Sequence, residues 1–496
     1  MPANASIPAF DPLSIPIAGT NLIEASAGTG KTYGIAALFT RLVVLEQMPV
    51  ESILTVTFTK AATAELKTRL RARLDEVLQA LESVEDADNL SDDLEAYCRD
   101  NHPGDVFLTG LLKQALAQES RARLIVRLKA AIGQFDNAAI YTIHGFCQRI
   151  LRDYAFLCRA PMDVELTEDS RDRLLIPAQD FWRDRIVNHP VLAKLVFQRR
   201  QTPQTMLAAI QKFVSRPYLV FRRPEADLVA AQENFRKTWE KVRSKLDALE
   251  ETFWRIRPIL NGQSYQEKTF KTVFLELQSA SQSDALPSFG KTTAEKLPMF
   301  AIEALASKVK KGNTPDAAAF ADLQILANLG ADSAAIVQAE EEMFTLLHLD
   351  LLDHLNASLS EQKKTKRERG FDDLLLDVYD ALTDNPQADS LAQAVAQNWR
   401  IALIDEFQDT DPLQYEIFRK IFISQNKPLF LVGDPKQAIY SFRGADIYAY
   451  LQAAADAQHS YTLATNYRSH AKLINGIGAL FRCKNRPFVL DGIDYT

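Results

Sequence analysis

Apolar and polar positions alternate along this chain in two distinct ways. Near the start, the apolar pair Leu22-Ile23 leads into a glycine-bearing stretch, and apolar residues then recur at helical spacing from Ile35 to Leu45. That order predicts strand, loop, helix. Ile53–Phe58 is β-branched and predicts a second strand, followed by a helix over Ala61–Leu81. Ala138–Ile143 predicts another strand, with His144-Gly145-Phe146 turning into a helix from Cys147 to about Tyr154. The same alternation returns after Gly370, with a helix over Phe371–Leu382 and strands at Ile401–Ile404, Leu429–Val432 and Tyr461–Leu463. Strands separated by helices predict an α/β fold on a parallel sheet.

Between about 155 and 369 strand signals are sparse. Helical periodicity covers Ser170–Val187, Pro203–Val214, Ala226–Ile256, Ala318–Leu329 and Ala335–Leu359. Gly262–Lys311 is polar and weakly periodic, and Glu82–Asp105 is an acidic stretch that reads as a solvated loop or loose helix without chemistry of its own. The expected organisation is an α/β domain in two parts, 1–153 and 370–496, around a mostly helical insertion at 154–369. Residues 1–21, rich in proline and small side chains, are expected to wrap the surface.

Composition narrows the function classes. The 496 residues are 47% hydrophobic and 24% charged, with a net charge of −7. No global basic field exists, so any nucleic acid must be held by local basic and aromatic groups. The four cysteines (Cys98, Cys147, Cys158 and Cys483) show no C-x-x-C spacing, and the seven histidines form no H-x-x-x-H pair. Reduced thiols and no zinc site are expected. Met1–Ala18 lacks the basic start and apolar core of a signal peptide. The default location is the cytoplasm.

The stretch Ala25-Ser26-Ala27-Gly28-Thr29-Gly30-Lys31-Thr32 lies between the first strand and helix. A tight loop there aims backbone N–H groups and a helix N-terminus at an anion. Lys31 reaches the β/γ-phosphates in such a loop and the Thr32 hydroxyl ligates Mg²⁺. The general pattern asks for glycine where this chain has Ala25. A second G-K-T, Gly290-Lys291-Thr292, has no preceding strand signal and is discounted. Ile401–Ile404 ends in Asp405-Glu406. Ligands bind at the carboxyl ends of strands in open α/β sheets. Asp405 is thereby placed to hold Mg²⁺ and Glu406 to polarise water. The basic run Lys363–Arg369 leans only slightly toward phosphate contact over a solvated helix face.

Two longer strings, Ile404–Asp411 (IDEFQDTD) and Gly433–Asp446 (GDPKQAIYSFRGAD), follow neither from periodicity nor from turn chemistry. With Glu24–Thr32, Thr55–Leu66, Thr142–Ile150 and Thr465–Ser469 they stand in the motif order of superfamily 1 DNA helicases of the UvrD/Rep class, which the chain resembles. Ile23–Thr32 and Ile143–Arg149 draw the resemblance toward helicase–nucleases of the RecBCD type. That class carries alanine at the position of Ala25. The resemblance implies a RecA-like motor domain (1A) with an inserted helical domain (1B), using ATP and Mg²⁺. It implies ATP binding by Ala25, Ser26, Ala27, Gly28, Thr29, Gly30, Lys31 and Thr32. Tyr467 would stack on adenine, and Arg468 and Gln437 would contact or sense the γ-phosphate. Phe58, Lys60, Thr142, His144, Tyr440, Phe442 and Arg443 would line the single-strand track.

Many relatives carry an adenine-reading glutamine before the loop; the first glutamine here is Gln47, after it. The resemblance also implies a second motor domain and a nuclease domain, whose motifs do not follow Ser469. The expectation is an N-terminal part of a longer protein, with little DNA-stimulated ATPase or unwinding by itself. The full protein would be a 3′→5′ helicase acting on single-stranded and duplex DNA in double-strand-break processing, with RecC-like and RecD-like subunits. Two alternatives stay open: a UvrD/PcrA-like or AddA-like helicase, and a non-motor P-loop switch or DNA scaffold.

Overall fold

The structure is a computed structural model and describes residues 7–84, 90–159, 165–166, 172–216, 218–366, 368–440, 445–484, 487–488, 490 and 493. Among the described residues eight strands are found: β1 (Thr20–Ala25), β2 (Ile53–Thr57), β3 (Ile140–Thr142), β4 (Glu165–Leu166), β5 (Glu368–Arg369), β6 (Ile401–Ile404), β7 (Leu429–Gly433) and β8 (His459–Leu463). Six of them form one sheet in the order β3-β2-β6-β7-β1-β8, every pairing parallel. β2, β6 and β7 are buried along their whole length. Helices therefore cover both faces, which explains why these strands read as continuous apolar runs and not as alternation. The fold is α/β, a RecA-like parallel sheet with a helical insertion.

The core beneath the sheet joins Ile23, Leu403, Phe430 and Val432 to the inner faces of α1 (Lys31–Val44) and α2 (Lys60–Glu82). The N-terminal segment lies along the sheet edge. Phe10 N–H donates to Thr462 O (2.9 Å), Thr462 N–H to Pro8 O (3.0 Å), and the Phe10 ring is buried.

The chain divides into two compact units, Met1–Asp169 with Lys363–Thr496, and Ser170–Gln362. The second unit lies inside the expected 154–369 insertion. The helix Ala155–Cys158 stays with the first unit, where Asn385 Nδ2 donates to Leu157 O at 2.7 Å. The two-residue parallel pair β4–β5 also belongs to the first unit, and joins the chain where it leaves and where it returns.

Three local expectations change in the structure, and the acidic stretch takes the helical of its two readings over its described part. The helix over Ile143–Asp153 begins at Ile143 and takes in His144 and Gly145, because the Thr142 hydroxyl caps it by accepting from Gly145 N (3.1 Å). The two helices expected at 318–329 and 335–359 are one helix, Ala317–Lys366. Gly330 does not break it. A Cβ there would lie 2.8 Å from Leu297 Cβ, so the glycine serves close packing within the second unit. This helix is about 75 Å long at 1.5 Å per residue. Phe320, Leu323 and Leu326 enter one apolar cluster, while Leu347, Leu351 and Leu355 enter another. Gly262–Lys311 is also more ordered than its polarity suggests. Glu267–Ser281 is a helix whose Phe270, Val273, Phe274 and Leu277 are buried, with Phe300, in the first of those clusters. Aromatic packing at i, i+3, i+4 and i+7 outweighs the polar residues between. In the acidic stretch, Leu90–Asn101 is a helix, and Asp105 caps the following helix through Leu108 N (3.0 Å).

Candidate functional site: a nucleotide loop facing a carboxylate cluster

β1 ends at Ala25, which is fully buried and still paired with Leu463. Its backbone is extended strand, so this position makes no demand for glycine. The demand falls on Gly28 (φ 80°) and Gly30 (φ 88°), both in the left-handed region. Thr29 closes the turn, its hydroxyl donating to Ser26 O at 2.8 Å. Lys31 and Thr32 open α1, with Gly30 at its N-cap.

Lys31 lies beside the carboxyl end of β6, two strands away. Its Nζ donates to Glu406 Oε2 at 2.6 Å. Glu406 is held in a left-handed backbone (φ 50°, ψ 43°), rare for a residue with a side chain and worth about 1–3 kcal/mol of strain. Burial first, and then the Glu406 charge, push the Asp405 carboxyl up to about 6. Asp409 is pushed to about 6 by the same two causes in the same order. Asp409 Oδ1 is buried without a hydrogen-bond partner. Three carboxylates thus crowd around one lysine. Among the described residues no three acidic, histidine or cysteine side chains converge to hold a metal by themselves, but a divalent cation shared between phosphate and Asp405 would relieve the repulsion at that carboxyl. Thr32 and Asp405 are the residues expected to hold it.

The next strand extends this arrangement. Gln408 Nε2 donates to Glu406 Oε2 (2.8 Å) and its Oε1 accepts from Asp434 N (2.9 Å). Asp434 Oδ2 accepts from Gln437 Nε2 at 2.7 Å. Lys436 Nζ bridges Asp434 Oδ1 (3.1 Å) and Glu24 Oε1 (2.7 Å), at the end of β1. A continuous chain of polar contacts therefore runs from Lys31 across β6 and β7 and back to the foot of the nucleotide loop. Gln408, Lys436 and Glu24 belong to it and were given no role from the sequence, although all three lie within the strings that carried the resemblance.

Past β8, Asn466 grips the loop. Its Nδ2 donates to Ala27 O (2.7 Å), while its Oδ1 accepts from Arg468 N (2.9 Å) and Ser469 N (2.8 Å). Tyr467 N donates to Gly28 O at 2.9 Å. Tyr467 and Arg468 are thereby anchored beside the loop by their backbones, with exposed side chains. Asn466 lies within the string Thr465–Ser469 but was given no role from the sequence, because its partner Ala27 is far away along the chain.

The candidate DNA-facing residues that are described sit at or beyond the ends of β2, β3 and β7. Phe58 follows β2, and its ring stacks on Tyr440 with centroids 6.1 Å apart and planes at 22°. Thr142, opposite Thr57 in the sheet, spends its hydroxyl on the helix cap. His144 Nε2 lies 3.7 Å from Asp372 Oδ1, and Lys60 is exposed at the start of α2. Phe442 and Arg443 lie outside the described residues. At the end of the run Lys363–Arg369, Arg369 Nε donates to Asp377 Oδ2 at 2.8 Å, so this arginine is engaged within the protein.

The second G-K-T is closed by the protein itself. Glu276 accepts from Gly290 N (2.6 Å) and from the Thr293 hydroxyl, so a carboxylate occupies the anion position at that short helix. All four cysteines are unpaired. Among the described residues no helix is long and apolar enough to cross a membrane.

A P-loop at the end of a central strand of a six-stranded parallel sheet, facing an Asp-Glu pair two strands away, is the arrangement of a RecA-like helicase domain, and the sequence comparisons agree. Residues 11–458 match the UvrD/REP helicase N-terminal domain family, and the chain belongs to it. Its curated relatives are more particular. It is 33% identical to "RecBCD enzyme subunit RecB" of Escherichia coli K12 over 98% of this chain and 40% of that protein. The RecB of Haemophilus influenzae is also 33% identical, over 98% of this chain and 42% of that one. The RecB of Mycobacterium tuberculosis H37Rv is 28% identical, over 93% and 30%. The chain thus spans about two fifths of the length of the first two relatives.

Proposed function

We propose that this chain is the nucleotide-binding part of an ATP-driven, 3′→5′ DNA helicase motor of the RecBCD type, working in double-strand-break repair and recombination. The observation that carries the reading is the polar chain from Lys31 through Glu406, Gln408 and Asp434 to Gln437. It links a phosphate-binding lysine to a carboxylate able to take a proton from water. It then continues into the segment that bears Tyr440. A passive nucleotide switch or scaffold has no need of that connection.

In this reading Lys31 and the loop N–H groups hold the ATP phosphates, and Tyr467 offers an aromatic face to the base. Mg²⁺, when bound with ATP, neutralises phosphate charge, and Thr32 and Asp405 would hold it. Glu406 accepts the proton of the attacking water. Arg468 balances charge that develops on the γ-phosphate, and Gln437 reports its presence. The Phe58–Tyr440 pair, with Lys60, Thr142, His144, Phe442 and Arg443, supplies stacking faces and cations for single-stranded DNA, independent of base identity. The relatives' printed name points to RecC-like and RecD-like partner subunits, and single-stranded and duplex DNA are the substrates.

The test is ATP hydrolysis with single-stranded DNA by the protein as made in its host, comparing wild type with Lys31→Ala and Glu406→Gln. Both are expected to lose at least a hundredfold in kcat, with Glu406→Gln still binding nucleotide. Wild-type turnover in both variants would refute the motor reading.

A further inference from the structure

Gln408 is 2% exposed, and its amide lies between two elements of the candidate site. A backbone N–H can only donate, so the Asp434 N–H must meet the amide oxygen of Gln408. That choice directs the Gln408 NH₂ at Glu406 Oε2. The amide orientation is therefore dictated by its partners. Gly433 makes the room for it: a Cβ there would lie 2.7 Å from Gln408 Oε1.

Glu406 Oε2 consequently receives two donors, Lys31 Nζ and Gln408 Nε2. The other oxygen, Oε1, has no hydrogen bond to a described residue. The left-handed backbone of Glu406 and these two donors together define how its carboxylate points. A lysine that turns to phosphate leaves Gln408 as the remaining donor on Oε2. The same amide is tied through Asp434 to Gln437.

We propose that Gln408 is a positioning residue for hydrolysis: it holds Glu406 by Oε2, presents Oε1 to the attacking water, and ties that orientation to the Asp434–Gln437 turn. The proposal rests on the reading of Glu406 as the proton acceptor. Gln408 touches neither nucleotide nor water, so its loss slows turnover and leaves nucleotide binding in place.

Two variants separate the donor from mere bulk. Gln408→Met keeps the length and removes the amide. Gln408→Glu keeps an acceptor for Asp434 N but sets an anion against Glu406. Steady-state ATP hydrolysis with single-stranded DNA is measured beside equilibrium binding of a fluorescent, non-hydrolysable ATP analogue. The expected result is a kcat at least about tenfold lower in both, and lowest in Gln408→Glu, with KM and analogue affinity within about threefold of wild type. If Gln408→Met fails to fold, Gln408→Glu, matched in size, decides alone. Wild-type kcat in the folded variants, or a loss of analogue binding equal to the loss of kcat, overturns the proposal. Glu406→Gln is run alongside. Full turnover in that variant removes the Glu406 reading and this proposal with it. Its inactivity beside wild-type Gln408 variants removes this proposal alone.

Discussion

Replacing Asp105 tests how the nucleotide loop is supported. Asp105 sits behind α1, where its carboxylate accepts from Leu108 N (3.0 Å) and from the Tyr33 hydroxyl (2.8 Å), and pairs with Arg73 (2.6 Å). Tyr33 directly follows Thr32. Arg73 is 8% exposed, lies 5.4 Å from the ring centres of Tyr33 and Phe107, and also holds Glu76 at 2.6 Å. Asp105→Ala removes a helix cap, worth about 1 kcal/mol. It also strips Arg73 of one of two carboxylates. Breaking a buried pair outright costs about 3–5 kcal/mol, so with Glu76 retained about 2 kcal/mol is expected. The Tyr33 hydroxyl, half-exposed, finds water instead. The total is about 3 kcal/mol for Asp105→Ala and about 2 kcal/mol for Asp105→Asn, which keeps the cap. Urea unfolding followed by circular dichroism at neutral pH measures both.

The pH dependence has a definite sign. Burial by itself raises the Asp105 carboxyl, but the Leu108 amide, the Arg73 charge and the Tyr33 hydroxyl outweigh it and hold the group below its ordinary value. The unfolded chain therefore binds this proton first as pH falls. The stabilisation is complete above the ordinary carboxylate range of about 4 and is lost as pH drops through the lower folded value. The gap between wild type and Asp105→Asn should close over that interval. Equal stability of all three proteins at neutral pH, or a gap that ignores pH, would refute the reasoning.

Two further outcomes are expected. Phe58→Ala or Tyr440→Ala should weaken binding of single-stranded DNA by about 1–3 kcal/mol, read by fluorescence anisotropy, without preference among homopolymers; unchanged affinity would remove the stacked pair from the DNA track. Asn466→Ala loses the side-chain hydrogen bond that joins the 466–469 turn to the loop at Ala27 and two more that shape the turn itself, each worth about 0.5–1.5 kcal/mol net. It should raise the KM for ATP about tenfold or more, and a KM within twofold of wild type would count against a role for the clamp.

Much of the motor unit was legible along the chain because its signals are local. Apolar runs and β-branched residues report strands whatever lies beside them, and Gly28 and Gly30 report a backbone that other residues resist. The charged strings announced chemistry because nothing in periodicity calls for them. Neighbours distant in sequence left no such trace. Lys31 and Glu406 are 375 positions apart, and their contact exists because β6 and β7 insert between β2 and β1. Local pattern cannot encode that order, since the central strands β2, β6 and β7 are buried on both faces and each would suit several places in the sheet. The same reason hides Gln408 and Asn466, whose importance lies in partners from other elements. It hides Gly330, which resembles a helix stop until Leu297 is seen against it. It also separates the two G-K-T strings. Their three-residue cores are identical, but Glu276 closes one, while the other opens on a carboxylate cluster assembled from across the sheet.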